Sequence, residues 1–72
     1  MSQDIIRSLK DENEILQYKL KKLAAFMDTD CFESLTEIHQ RLLHAQVGSM
    51  LAYANILTVR IINLESTDVW YK

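Results

Sequence analysis

The stretch Leu42-Leu43-His44-Ala45-Gln46-Val47-Gly48-Ser49-Met50-Leu51-Ala52-Tyr53-Ala54-Asn55-Ile56-Leu57-Thr58-Val59-Arg60-Ile61-Ile62-Asn63-Leu64 decides the fold. Within it Leu43, Val47, Met50, Ala54, Leu57, Ile61 and Leu64 recur at alternating spacings of four and three, which places them on one face of a helix. A second stripe, Ile38, Leu42, Gln46, Ser49, Tyr53, Ile56 and Arg60, runs beside the first and mixes apolar with hydrogen-bonding side chains. Between Leu35 and Leu64 the only charged residues are Glu37, Arg41 and Arg60, too few for a helix with one face in water. One long helix over residues 35–64, on the order of 45 Å in length, is therefore expected to be covered on two sides. Leu43, Val47, Gly48, Met50, Ala54, Leu57, Ile61 and Leu64 are the expected interface between subunits. Gly48 and Ser49, with Ala45 and Ala52 nearby, thin the wall of this helix, and a second backbone can approach closely there.

Upstream of that helix, residues 28–34 (Asp-Thr-Asp-Cys-Phe-Glu-Ser) carry the break signals. Ser34 followed by Glu37 reads as a capping box, and Asp30 followed by Glu33 as a second one a turn earlier. Phe32 is expected to fold back and plug the end of a core. Before the turn, Ile6, Leu9, Asn13, Leu16, Leu20, Leu23 and Met27 continue the four-three alternation through a helix over residues 3–27. With Leu9, Leu16 and Leu23 at heptad position d and Asn13 at position a, this is a zipper face with one polar residue, suited to self-pairing or to packing on the second helix. Ile5 and Phe26 widen it beyond a strict seam. Residues 65–72 are expected to form a tail, whose Trp70 and Tyr71 would pack on a neighbouring subunit or meet a ligand.

The expected architecture is all-α, a helical hairpin with a short first arm and a long second arm, assembled as an oligomeric bundle. Size supports assembly: a chain of 72 residues buries only about 60% of the surface its unfolded form exposes. The single cysteine, Cys31, forms no intramolecular disulfide, and His39 and His44 are not spaced as a zinc pair. A composition of 49% hydrophobic against 25% charged residues is that of a folded chain. The net charge of -2 provides no field for a nucleic-acid backbone, and Asp4, Asp11, Glu12 and Glu14 interrupt the basic residues Arg7, Lys10, Lys19, Lys21 and Lys22, so DNA is not the expected partner. Neither a secretory leader nor a long uninterrupted apolar run is evident, which points to the cytoplasm, without membrane contact, and to a reduced Cys31.

With one glycine, no phosphate-cradling loop is possible, and neither a metalloprotease helix motif, a calcium-loop series nor a nucleophile elbow occurs. His39, His44 and Glu37 are expected on a solvated face. The chain is therefore expected to be non-enzymatic and to use no cofactor or metal. Tyr53, Arg60, Gln46 and Ser49, on one broad helix face, are the candidate ligand-binding residues. Repeated by symmetry, they offer a guanidinium for phosphate and a ring for base stacking. The bland alternative pairs Arg60 with Glu65 or another acid and makes Tyr53 a core residue.

The run Leu42-Leu43-x-x-Gln46-x-x-x-Met50-x-x-Tyr53-x-x-Ile56-Leu57-x-x-Arg60-Ile61, preceded by a turn containing Phe32, resembles a group of small helical proteins of tailed bacteriophages. Such proteins include oligomeric sponges that hold cyclic nucleotide immune signals between subunits. The resemblance implies an accessory protein that counters host defence by binding a cyclic nucleotide in the host cytoplasm. The competing expectation is a protein-binding inhibitor or structural adaptor directed at a host defence protein.

Overall fold

A computed structural model describes the backbone of residues 2–70 and the side chains of residues 3–66. Three helices follow in order, α1 (Ser2–Met27), α2 (Asp30–Glu33) and α3 (Glu37–Trp70). α1 and α3 lie antiparallel as the arms of a hairpin, and the one-turn α2 sits in the bend. α3 continues beyond Leu64 to Trp70, through the segment expected as a tail, since nothing in Glu65-Ser66-Thr67-Asp68-Val69 breaks a helix. The side chain of Trp70 and all of Tyr71 lie outside the described residues.

The core is a single seam between the arms. Leu9 of α1 packs against Leu57 and Ile61 of α3, flanked by the half-buried Leu16 and Leu64. Ile6, Leu20 and Ala54 extend it, and Leu57 has no exposed surface. The α1 zipper face, Ile6 to Met27, packs on α3 of the same chain, one of the arrangements it suited. The α3 stripe assigned to the subunit interface is likewise met by α1: Ala54, Leu57 and Ile61 are buried and Leu43, Val47, Met50 and Leu64 half-buried, while Gly48 lies off the stripe and is exposed. Both stripes have the same four-three period, so each satisfies the other, and a short connection brings them together at the lowest entropic cost. Asn13 finds a partner on α3: its side-chain amide donates to the Thr58 hydroxyl at 3.5 Å, and that hydroxyl donates to the Ala54 carbonyl at 3.0 Å.

The bend is held by capping groups other than those expected. Thr29 caps α2, its hydroxyl accepting from the Phe32 N–H at 3.3 Å and donating to the Phe26 carbonyl at 2.5 Å. Thr36 caps α3 by accepting from the His39 N–H at 3.2 Å. Ser34 instead donates to the Cys31 carbonyl at 2.7 Å, and Asp30 is the first residue of α2, not its cap. The Gln40 amide reaches back to the carbonyls of Phe32, Glu33 and Leu35 at 3.0–3.2 Å, tying the end of α2 to α3; the Phe32 carbonyl also accepts from the Leu35 N–H at 3.1 Å. Phe32 is buried as expected, edge-on to Phe26 and to His44 at centroid distances of 6.2 and 5.7 Å.

The hairpin measures 55 × 15 × 15 Å with a radius of gyration of 16.4 Å. A compact chain of this length would have about 11 Å. Two helices side by side can cover only one face of each other, and much of α3 is left bare. Ile38, Leu42, Ile56, Val59 and Ile62 are all more than half exposed. Among the described residues, the segment Glu37–Ser66 is long and apolar enough to cross a membrane by length and composition, and 17% of its most apolar window is buried.

Candidate functional site

The bare face of α3 has an order of its own. Ile38, Leu42, Ala45, Ser49, Ala52, Ile56 and Val59 are spaced four, three, four, three, four and three, and every one is exposed. This second heptad seam lies away from α1. One position further along, on the edge between the seam and α1, stand Gln46, Tyr53 and Arg60, each seven residues from the next. Seven residues make nearly two whole turns, so the three side chains line up in a row. The expected ligand-binding residues Gln46, Ser49, Tyr53 and Arg60 thus share one exposed side of the helix. They do not meet at one point: Gln46 and Arg60 are about 21 Å apart along the axis at 1.5 Å per residue.

α1 contributes to the same side. The Tyr53 hydroxyl donates a hydrogen bond to the Glu12 carboxylate, and an open groove there is lined by Glu12, Ile15, Leu16, Lys19 and Tyr53. Tyr53 is 42% exposed, so it is no core residue. A second groove, nearer the C-terminal end of α3, is lined by Ile5, Val59, Arg60, Asn63 and Leu64. The pKa of Tyr53 is raised, first by its hydrogen bond to Glu12, then by desolvation and by the negative charge of Glu12, while the Arg60 guanidinium pulls it the other way.

The ion pairs among the described residues are Lys10–Glu65 at 3.1 Å and Glu37–Arg41 at 2.6 Å. Glu65 therefore goes to α1, not to Arg60 as one expectation had it, and the guanidinium is left beside apolar side chains with no carboxylate bound to it among these residues. The planar guanidinium in such surroundings is suited to an oxyanion, carboxylate or phosphate, through paired N–H donors. Gln46 points along its own helix, its amide 3.9 Å from the Met50 sulfur. His39 and His44 are exposed, with His44 turned against Phe32. Among the described residues, no group of His, Cys, Asp and Glu side chains could hold a metal ion.

Glu12 and Ile5 were not expected in this site. Their signal was present in α1, where Ile5, Glu12, Lys19 and Phe26 occupy one heptad position beside the zipper face. That row becomes part of the site only because α1 folds onto α3 with this edge toward Tyr53 and Arg60.

In comparison with known proteins, a family model described as Sequestin matches residues 3–63, which takes in α1, the bend and most of α3. No curated protein and no solved structure matches the chain.

Proposed function

Because this chain belongs to the Sequestin family, we propose that it acts by stoichiometric binding, as a non-enzymatic homo-oligomer that sequesters a cyclic nucleotide signal at its subunit interfaces. The observation that carries this reading is Arg60: a guanidinium without a carboxylate partner among the described residues, set in an apolar groove two turns from the exposed ring of Tyr53. A guanidinium meets a phosphate through paired charge-assisted hydrogen bonds, and an exposed aromatic ring offers a stacking surface for a base. The family name speaks of sequestering, and with the resemblance to phage proteins it supports the reading that the protein acts in an infected cell against host defence. The grooves of the single chain are open, so a second subunit is needed to close a pocket over a ligand. Sequestration requires no bond to be made or broken; an excess of binding sites lowers the free concentration of the signal by mass action.

Native mass spectrometry and titration calorimetry with a panel of cyclic di- and trinucleotides test the reading. A discrete added mass in fixed ratio to subunits is expected, with the nucleotide recovered chemically unchanged. Arg60→Ala should remove binding while the oligomer persists. Absence of binding across the panel would overturn the reading. It would favour an adaptor or protein-binding inhibitor, which the broad apolar face of α3 also suits.

A further inference from the structure

We propose that two copies of this chain pair through α3 in antiparallel orientation, with a two-fold axis beside Ser49 and one ligand site at each end of the pair. The proposal rests on the oligomeric part of the preceding reading and specifies its geometry.

Surface area comes first. The chain exposes 5824 Å², whereas a compact folded monomer of 8.4 kDa would expose about 4,600 Å² by the usual mass scaling. The excess, about 1,200 Å², is more than the roughly 800 Å² that each partner contributes to a stable interface. The exposed seam is also the part of the molecule least suited to water.

The occupant follows from what the seam lacks. From Ile38 to Val59 it carries no charged side chain, whereas the outward side of α1 carries Asp11, Glu14, Lys21 and Lys22. A charged helix face does not cover an uncharged one without stranding its ions. The seam's own copy is the complementary surface.

Orientation follows from the order of sizes along the seam. Small residues, Ala45, Ser49 and Ala52, occupy the middle, and large ones lie at both ends. Reversal about Ser49 sets Leu42 opposite Ile56 of the partner subunit and Ala45 within one residue of Ala52 of the partner subunit, so the seam is self-complementary under a two-fold axis perpendicular to the helix. Close approach at the middle is open, for a Cβ added at the adjacent Gly48 would meet nothing within 4 Å. A parallel pair matches the sizes equally well but brings like ends of the helix dipoles together, whereas the reversed pair opposes them.

The pairing has a consequence for the edge row. Tyr53 comes beside the partner's Gln46, near the axis. The two Arg60 side chains lie about 33 Å apart, eleven residues to either side of the axis at 1.5 Å per residue. No small nucleotide bridges both, so each pair binds two ligands, one for each chain.

Crosslinking tests the pairing without any nucleotide, so that it fails or succeeds separately from ligand binding. In a Cys31→Ser background, Ser49→Cys, Leu42→Cys and Ile56→Cys are made singly, checked for retained helicity, and treated with a short bismaleimide. Ser49→Cys is expected to crosslink to itself. A mixture of Leu42→Cys and Ile56→Cys, exchanged by mild denaturation and refolding, is expected to give the mixed species as the dominant product. Self-crosslinking of Leu42→Cys in preference to the mixed product would establish a parallel pair and overturn the proposal. A monomeric Cys31→Ser protein by sedimentation, or an oligomer in which Ser49→Cys does not crosslink, would overturn it as well.

Discussion

Asn13 is the one polar residue on the α1 face that packs against α3, and its carbonyl oxygen is buried without a hydrogen-bond partner. A buried acceptor left unsatisfied costs about 1–3 kcal/mol. Asn13→Leu is therefore expected to raise chain stability by about 1 kcal/mol in urea denaturation; a loss would mean that the oxygen has a hydrogen-bond partner in solution. Tyr53 makes the other residue-scale prediction. Its folded-state pKa lies above the ordinary 10.0 because its hydroxyl donates to Glu12 and the phenolate would face that carboxylate. A raised pKa favours the fold while the group is protonated, so the contribution is complete below about pH 10 and is lost as pH rises through the raised folded value. The difference in tyrosinate absorbance between the wild type and Tyr53→Phe should titrate above pH 10; titration at or below it would show that the Glu12 contact is absent in solution.

At the scale of the elements, the bend determines whether the two stripes face each other in register. α3 begins where Thr36 offers its hydroxyl to the His39 N–H, not two residues earlier at Ser34. The two boundaries differ by about 200° of helical rotation at 100° per residue, so the cap selects a start that leaves residues 34–36 free to complete the bend. Thr36→Ala should cost about 1 kcal/mol, the usual effect of losing an N-cap hydroxyl, measured as a lower urea midpoint with unchanged slope. An unchanged midpoint would place the constraint in the Gln40 side chain, which ties three carbonyls of the α2 region to α3.

For the molecule as a whole, apolar surface is the governing quantity. A hairpin of two helices has one internal face, and α3 carries apolar residues around most of its circumference. The fold of the chain and the pairing proposed through α3 should therefore respond to different substitutions. Leu57→Ala strikes the internal seam at its most buried residue and should cost about 2–5 kcal/mol of chain stability. Ile56→Asp, one residue away on the exposed seam, should leave the hairpin helical while lowering the mass measured by sedimentation to that of a monomer. Persistence of the oligomer in Ile56→Asp would show that this face stays in solvent.

The heptad period, the absence of proline and the turn signals of residues 28–34 were sufficient to determine that the chain is two long helices with a bend between them. They were equally sufficient to place Gln46, Ser49, Tyr53 and Arg60 on one side of the second helix, since rotation per residue is a local property of the backbone. Which stripe meets which partner was decided by the tertiary structure alone. Both faces of α3 have the same period, and although Leu43 to Leu64 is the more apolar, the other also carries Ile38, Leu42, Ile56 and Val59; the antiparallel docking of α1 covers the first and bares the second. The same docking brings Glu12 to Tyr53 and Lys10 to Glu65 across separations of 41 and 55 residues. A contact between distant residues depends on the relative rotation of two helices, and periodicity within each helix leaves that rotation undetermined.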